Sequence, residues 1–448
     1  MTHHPRTSSS AVRSAVPRRS FLAALAATAL TAACTSGGEQ AAVTVTSTTG
    51  PGTTAPGSGT TTSGSSASAG TTASTTSSST PEIVQPVVTT VPEAGAVDVS
   101  PVEPVTVTVA DGTFTDLVMR NPEGKEVKGT LSADKRTWTS AEVLGYGREY
   151  TITGTAVGSE TGADDADVAV TFTTLEPAET IYPSFFPNPE LKTIGMGQPM
   201  VVIFDKAPAD QAAAERALTV TSDPVQEGAW YWWDERTLHY RPKAYWKKGT
   251  ELTVEAKIYG VDLGGGAYGE TDRTLNVTVG PARIAEIDDA TKQMVITVDG
   301  KVTDTVPVSL GMNQTTTGSD GEEISFVTPS GIYVVQEKYE VKQMSSATYG
   351  LPVDADLGYD SSIPLAVRLS NSGIFVHSAP WSVDDQGVRN VSHGCININP
   401  EAAQWFYDNF SYGDVVVVKG TSTELHPTDG YGDWNISWAD WQQGSVLG

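Results

Sequence analysis

The chain has 448 residues, too many for one hydrophobic core, and at ~150 residues per domain it suggests about three domains. It carries 28 Lys+Arg against 53 Asp+Glu, a net charge of −25. That acidity argues against nucleic acid as a partner and against electrostatic binding to anionic lipid, and it favours solubility. Cysteine occurs only at positions 34 and 395, one in an export-like leader and one near the C-terminus. A structural disulfide between them is not expected, so an exported chain would hold itself together without one.

Residues 1–33 read as a signal peptide. They contain Arg6, Arg13, Arg18 and Arg19 and no acid. Arg18-Arg19-Ser20-Phe21-Leu22 resembles a twin-arginine export signal. The apolar run from Phe21 to Ala33 is short of the ~20 residues that a membrane span needs. Leu30-Thr31-Ala32-Ala33-Cys34 resembles a lipobox, departing from it at Thr31. Lipidation of Cys34 would place the chain on the outer face of the cell membrane, held by the N-terminal lipid only. An ordinary secretory signal cut near Ala32 is the alternative. Residues 34–81 are Ser, Thr, Gly, Ala and Pro with almost no charge, and they cannot bury a core. Such a coil would average ~40 Å end to end.

Residues 82–177 and 178–280 read as two copies of one β-sandwich. Asp134-Lys135-Arg136-Thr137-Trp138 recurs as Asp234-Glu235-Arg236-Thr237-Leu238. Gly147-Arg148-Glu149-Tyr150-Thr151 recurs as Gly249-Thr250-Glu251-Leu252-Thr253, and 168–174 recurs as 274–279. Short alternating strands with Gly, Pro and Asp turns fit immunoglobulin-like modules, here without a stapling Cys pair. The second copy is rich in aromatics: Trp230, Tyr231, Trp232, Trp233, Tyr240, Tyr245 and Trp246. They fit core and interface packing better than a sugar- or peptide-binding surface.

From Ile284 to Val308 the pattern is strand, Asp299-Gly300 turn, strand. Residues 338–372 have few long apolar runs and isolated Tyr339, Tyr349 and Tyr359, the composition of a lid. Residues 373–378 alternate, with Ile374, Val376 and Ser378 on one face and Phe375 and His377 on the other. A polar turn-rich loop follows Trp381 and returns through Ser392-His393-Gly394-Cys395-Ile396-Asn397. Asn399-Pro400-Glu401 starts a helix with Ala403, Phe406 and Tyr407 inward, ending near Tyr412-Gly413. Residues 415–418 are a buried strand. In the tail, 421–448, Trp434, Trp438 and Trp441 lie at helical spacing and are expected to dock on the preceding domain. Asp433 and Asp440 bracket them, which argues against a membrane anchor.

The chemistry concentrates at Cys395. A free thiol titrates near ~8.5 and needs a base to become a nucleophile at neutral pH. A strand end and a returning loop can bring His377 within reach as that base. Gly394 permits a tight turn, and the N–H groups of Gly394 and Cys395 are candidates for an oxyanion hole. A third group often fixes the histidine tautomer, here the Ser378 carbonyl. One Cys and two His give at most three metal ligands, without CxxC or HxxxH spacing, so no metal and no cofactor are expected.

His377 with Ser392 to Asn397 resembles the signature of the YkuD-type L,D-transpeptidase catalytic domain, over roughly 281–420. The upstream layout resembles the actinobacterial members with two immunoglobulin-like modules. The fold this implies is mainly β, two tandem sandwiches followed by a β-rich catalytic domain. In that family, Thr328-Pro329-Ser330-Gly331-Ile332-Tyr333 corresponds to a structural strand. The resemblance implies a cysteine acyltransferase that forms 3-3 cross-links between peptidoglycan stem peptides, with Cys395 as nucleophile and His377 as proton donor and acceptor. It implies that His393 orients the turn or pocket, and that Tyr359, Ser372, Gly373, Asn397, Met344, Tyr349 and Trp381 form the substrate site. Met344 and Tyr349 also fit plain packing. Carbapenems are the implied covalent inhibitors. Hydrolysis of the acyl-enzyme, and a non-catalytic wall-binding lipoprotein, are the competing functions.

Overall fold

The computed structural model describes residues 83–448. The expected signal peptide, Cys34 and the Ser/Thr-rich segment lie outside the described residues.

Two β-sandwiches come first. In the first, strands Val87–Val91, Thr106–Ala110, Thr137–Ser140 and Gly129–Leu131 form one sheet, and Glu126–Val127, Gly112–Arg120, Glu149–Gly158 and Ala166–Thr173 the other. Trp138, Tyr150 and Phe172 lie between them in the core. The second sandwich repeats the plan. Pro183–Phe186, Met200–Phe204, Thr237–Pro242 and Gly228–Trp232 face Thr193–Ile194, Arg273–Val279, Glu251–Ala256 and Leu218–Asp223. The recurring sequence blocks fall on equivalent strands: Trp138 and Leu238 both follow an Asp-x-Arg-Thr turn and both are buried. Trp230 and Trp246 fill the second core.

Residues 283–419 pack two sheets around one core. A five-stranded sheet runs Lys301–Pro307, Gln293–Val298, Arg283–Asp288, Val415–Lys419, Gly331–Val334. A four-stranded sheet runs Glu337–Ser345, Asp360–Arg368, Phe375–Ser378, Ile396–Ile398. Asp299 and Gly300 both take positive φ, as a tight hairpin turn requires. The expected strand before that turn is two strands. Asp288 Oδ1 accepts the Ala290 N–H at 2.8 Å and Lys292 is left-handed, so the chain reverses between them. The helix Pro400–Asn409 starts where expected, with Asn399 Oδ1 accepting the Ala402 N–H at 2.9 Å. It ends earlier than expected because Phe410 is extended and stacks on Phe406 at 4.0 Å.

Two further segments differ from expectation. About half of the stretch 338–372 is a strand pair, Glu337–Ser345 against Asp360–Arg368, in the sheet that carries His377. Residues 346–359 loop away, and 369–372 turn toward the next strand. The tail is not one helix docked on the catalytic domain. Asn435 pairs with the Ile332 backbone there, but the chain then breaks at extended Ile436 and Ser437 caps a new helix, Trp438–Gln442. This second half sits on the second sandwich. Trp441 is fully buried, donates to the Ala229 carbonyl at 2.9 Å and stacks on Tyr231. Trp434, Trp438 and Trp441 surround the Arg241 guanidinium at 4.8, 5.4 and 4.6 Å, close enough for cation–π attraction. Asp433, fully buried, meets His239 Nδ1 at 2.7 Å. The aromatics of the second module thus serve its core and this contact.

Candidate active site

Strand pairing brings the site together. Phe375–Ser378 runs parallel to Ile396–Ile398, with His377 opposite Asn397. Side chains alternate across a sheet, so Val376, Ile396 and Ile398 enter the core. His377 and Asn397 face the other way, on the side of Cys395, and all three line one cavity of about 180 Å³ with Trp381, Ser392 and Tyr359.

A second cavity, about 530 Å³, meets the first at the thiol. Ser372, Gly373, Tyr349 and Gly394 line it. Met344, Tyr359, His393 and Cys395 border both cavities. Trp381 stands on the rim of the smaller one, 60% exposed, with its ring 5.9 Å from that of His377. Ser378 lies beyond both, where its carbonyl accepts the His377 Nδ1–H at 3.0 Å. That bond fixes the proton on Nδ1 and leaves a lone pair on Nε2.

Burial sets the protonation of the pair. It lowers His377 to about 4, against the Ser378 carbonyl, which pulls upward. It pushes the Cys395 thiol up to about 11, against the Phe375 backbone N–H, which favours the thiolate. Both groups are therefore neutral at pH 7, although Cys395 keeps a partly exposed edge. The thiol donates to the Gly373 carbonyl at 3.6 Å. His393 is lowered by burial, opposed by the Leu357 carbonyl, and its ring lies between Phe326 and Tyr359.

The Cys loop rests on residues that the sequence reading did not single out for the site. Gly311 lies so close beneath it that a Cβ would meet the Gly394 Cα at 2.9 Å. The Gly311 N–H donates to Thr328 Oγ1 at 2.8 Å, and Thr328 Oγ1 donates to the Gly394 carbonyl at 2.6 Å. Ser309 exchanges backbone bonds with Asn397, at 3.0 and 2.9 Å. Ser392 Oγ donates to the Cys395 carbonyl at 2.6 Å and accepts the Gly394 N–H at 3.1 Å. One of the two expected oxyanion donors is thus engaged at rest. Ser372 is similarly committed: its N–H and Oγ both donate to Asp429, at 2.7 and 2.5 Å.

Asn397 is 3% exposed, and its Nδ2 donates to Ser382 Oγ at 3.1 Å. Its Oδ1 is buried without a partner, as is the Tyr349 hydroxyl. Among the described residues, no three His, Cys, Asp or Glu side chains gather as metal ligands would.

Residues 96–262 match the bacterial Ig domain family, and residues 282–418 match the L,D-transpeptidase catalytic domain family. L,D-transpeptidase 2 of Mycobacterium tuberculosis is 41% identical over 366 residues, 82% of this chain and 86% of that protein. L,D-transpeptidase 5 of the same species is 37% identical over 367 residues, 81% of this chain and 77% of that protein. A solved structure of LD transpeptidase LdtMt1 in complex with imipenem is 30% identical, with a TM-score of 0.44, over 53% of this chain and 97% of that one. With 41% identity across 86% of the first of these relatives, the chain belongs to the L,D-transpeptidase family.

Proposed function

We propose that the chain forms 3-3 cross-links in peptidoglycan through a thioester on Cys395. The observation that carries this reading is the position of the thiol where two cavities meet. A transferase must hold a donor and admit an acceptor to the same carbon, whereas a hydrolase needs room only for water.

A tetrapeptide stem occupies the larger cavity, against Met344, Tyr349, Tyr359 and the 372–373 backbone. Neutral His377 takes the Cys395 proton on Nε2 as sulfur attacks the carbonyl carbon of the third residue. The oxyanion meets the Cys395 N–H; the Gly394 N–H joins it only by leaving Ser392 Oγ. His377 returns the proton to the departing amine, releasing D-alanine and leaving a thioester. The acceptor amine enters through the smaller cavity, where His377 removes its proton as nitrogen attacks. The new amide forms, the C–S bond breaks, and the thiol is restored. Asn397 Oδ1 accepts an N–H of the bound stem, and Trp381 covers the entrance.

Carbapenems acylate the same sulfur on this reading. Lipid on Cys34 holds the enzyme to the outer face of the membrane, with residues 34–81 as its tether. Purified full chain, given tetrapeptide stems with and without an acceptor stem, is expected to yield 3-3 dimers and free D-alanine only when Cys395 is present. Trimmed stems alone, with no dimers at any acceptor concentration, would overturn transfer in favour of hydrolysis.

A further inference from the structure

The turn 370–374 borders the larger cavity and supplies the carbonyl that receives the Cys395 thiol. It is held from both sides. From its own sheet, Arg368 donates Nε to the Ser370 carbonyl at 2.8 Å and Nη2 to the Asn371 carbonyl at 3.0 Å, while Nη1 meets Glu337 Oε2 at 3.0 Å. From the tail, the Asp429 carboxylate takes both donors of Ser372, the N–H at 2.7 Å and the hydroxyl at 2.5 Å. The hydroxyl chain continues inward. Since Ser372 Oγ donates to Asp429, Ser370 Oγ donates to Ser372 at 2.8 Å and accepts the Ile374 N–H at 3.1 Å. Gly373 lies inside this chain of bonds, with φ +101°, and its carbonyl takes the thiol.

We propose that Asp429 is a positioning residue for the transfer reaction, acting through Ser372 to set the Gly373 carbonyl and hence the resting direction of the Cys395 sulfur. This inference rests on Cys395 being the nucleophile. A carboxylate suits the task because one group accepts from a backbone N–H and a hydroxyl at once, and charge-assisted bonds are short and strong. The same tail is anchored on the second sandwich by Asp433, Arg241 and Trp441. The turn at the nucleophile is therefore tied, through Asp429, to a chain segment docked on a neighbouring module.

The test uses the full-length chain and Asp429→Ala, Asp429→Asn and Ser372→Ala. Acylation of Cys395 is followed by intact mass with a carbapenem, and its alkylation by iodoacetamide is followed against pH by peptide mass, separately from Cys34. Misplacement of a reacting group costs up to about a hundredfold in rate. Asp429→Ala is expected to slow the saturating acylation rate about ten- to hundredfold with half-saturation little changed. Freed from the Gly373 acceptor, the thiol should alkylate at lower pH than in the parent. Asp429→Asn keeps one acceptor and recovers part of the loss, and Ser372→Ala adds nothing in the Asp429→Ala background. Rates and alkylation profiles equal to the parent overturn the proposal. So does a fall in rate with an unmoved profile, which marks a merely structural role. If Asp429→Ala does not fold, Asp429→Asn and Ser372→Ala carry the same two readouts. Transfer surviving Cys395→Ala would instead defeat the nucleophile assignment.

Discussion

The Cys395 thiol donates to the Gly373 carbonyl, 3.6 Å away, while the His377 Nδ1–H donates to the Ser378 carbonyl at 3.0 Å. The resting pair is therefore a thiol and a neutral imidazole, each held by a backbone oxygen, and not a thiolate–imidazolium ion pair. Burial enforces this, placing the histidine at about 4 and the thiol at about 11.

A pH profile follows from that state. The free-enzyme profile reports the essential acid and base. Carbapenem acylation at low inhibitor concentration should rise as pH passes about 4, where His377 loses its proton. It should then stay level until the thiol ionises near 11. Iodoacetamide should alkylate Cys395 slowly at pH 7. An inflection between pH 6 and 8, with fast alkylation at pH 7, would show a preformed ion pair and refute the neutral state.

His377→Gln should slow acylation by about 10²–10⁴-fold, the usual weight of a positioned general base. Cys395→Ala should abolish both acylation and transfer with little change in melting temperature, because the side chain lines the cavities and is not part of the hydrophobic core. An unaltered acylation rate in the histidine variant would remove it as the base.

How much of this could be read from the chain depends on how far apart the partners lie. The meeting of Cys395 and His377 at one cavity was legible because a cysteine, a glycine turn and a spaced histidine sit within one strand–loop–strand unit. The Asp299-Gly300 hairpin and the Asn399 cap were legible for the same reason, since their chemistry is local. Thr328 under Gly394, Asp429 on Ser372 and Asp433 on His239 join residues 66, 57 and 194 positions apart. No periodicity marks such partners, because each is selected by packing of whole elements. The three tail tryptophans show the limit well. Their helical spacing predicts one face of one helix, yet a break at Ile436 separates Trp434 from the other two, and Arg241 in another module is what gathers them.

Thr328 offers a test of the support beneath the nucleophile. Thr328→Val keeps the shape and removes the hydroxyl, leaving the Gly311 N–H and the Gly394 carbonyl without their partner. A buried group left unsatisfied costs about 1–3 kcal/mol. Urea titration of the variant should show a loss of that size, and acylation should slow as the Cys loop loosens. Equal stability and equal rate together would show that the hydroxyl does not brace the loop.

Trp441→Ala removes a fully buried ring, its bond to the Ala229 carbonyl and one wall of the Arg241 cage. Loss of a buried aromatic side chain costs about 3–5 kcal/mol. That exceeds what a five-residue helix can hold by itself, so the end of the tail should detach before the sandwiches melt. Limited proteolysis should cut within 436–448 in the variant and leave the parent intact. Equal resistance in both would mean that the tail is held elsewhere.

Asp414 gives the last prediction, through its sign. The carboxyl is fully buried, 3.5 Å from Arg283, and accepts the Ser411 N–H at 2.7 Å. Burial nevertheless dominates and raises it from 3.8 to about 7, while the Ser411 N–H and Arg283 pull it down. A carboxyl whose folded pKa exceeds its unfolded value binds protons more tightly in the native state. Its stabilising contribution is complete below pH 3.8 and is lost as pH rises through about 7. The parent should therefore lose stability between these limits, apart from other groups. Asp414→Asn keeps an acceptor for the Ser411 N–H and cannot ionise, so the difference in stability between variant and parent should grow in favour of the variant up to pH 7 and then level off. The group adjoins Gly413, whose carbonyl accepts the Gly197 N–H of the second sandwich at 2.8 Å. A difference that shrinks as pH rises would mean that the Arg283 pairing outweighs burial and that the carboxyl is stabilised in its charged form.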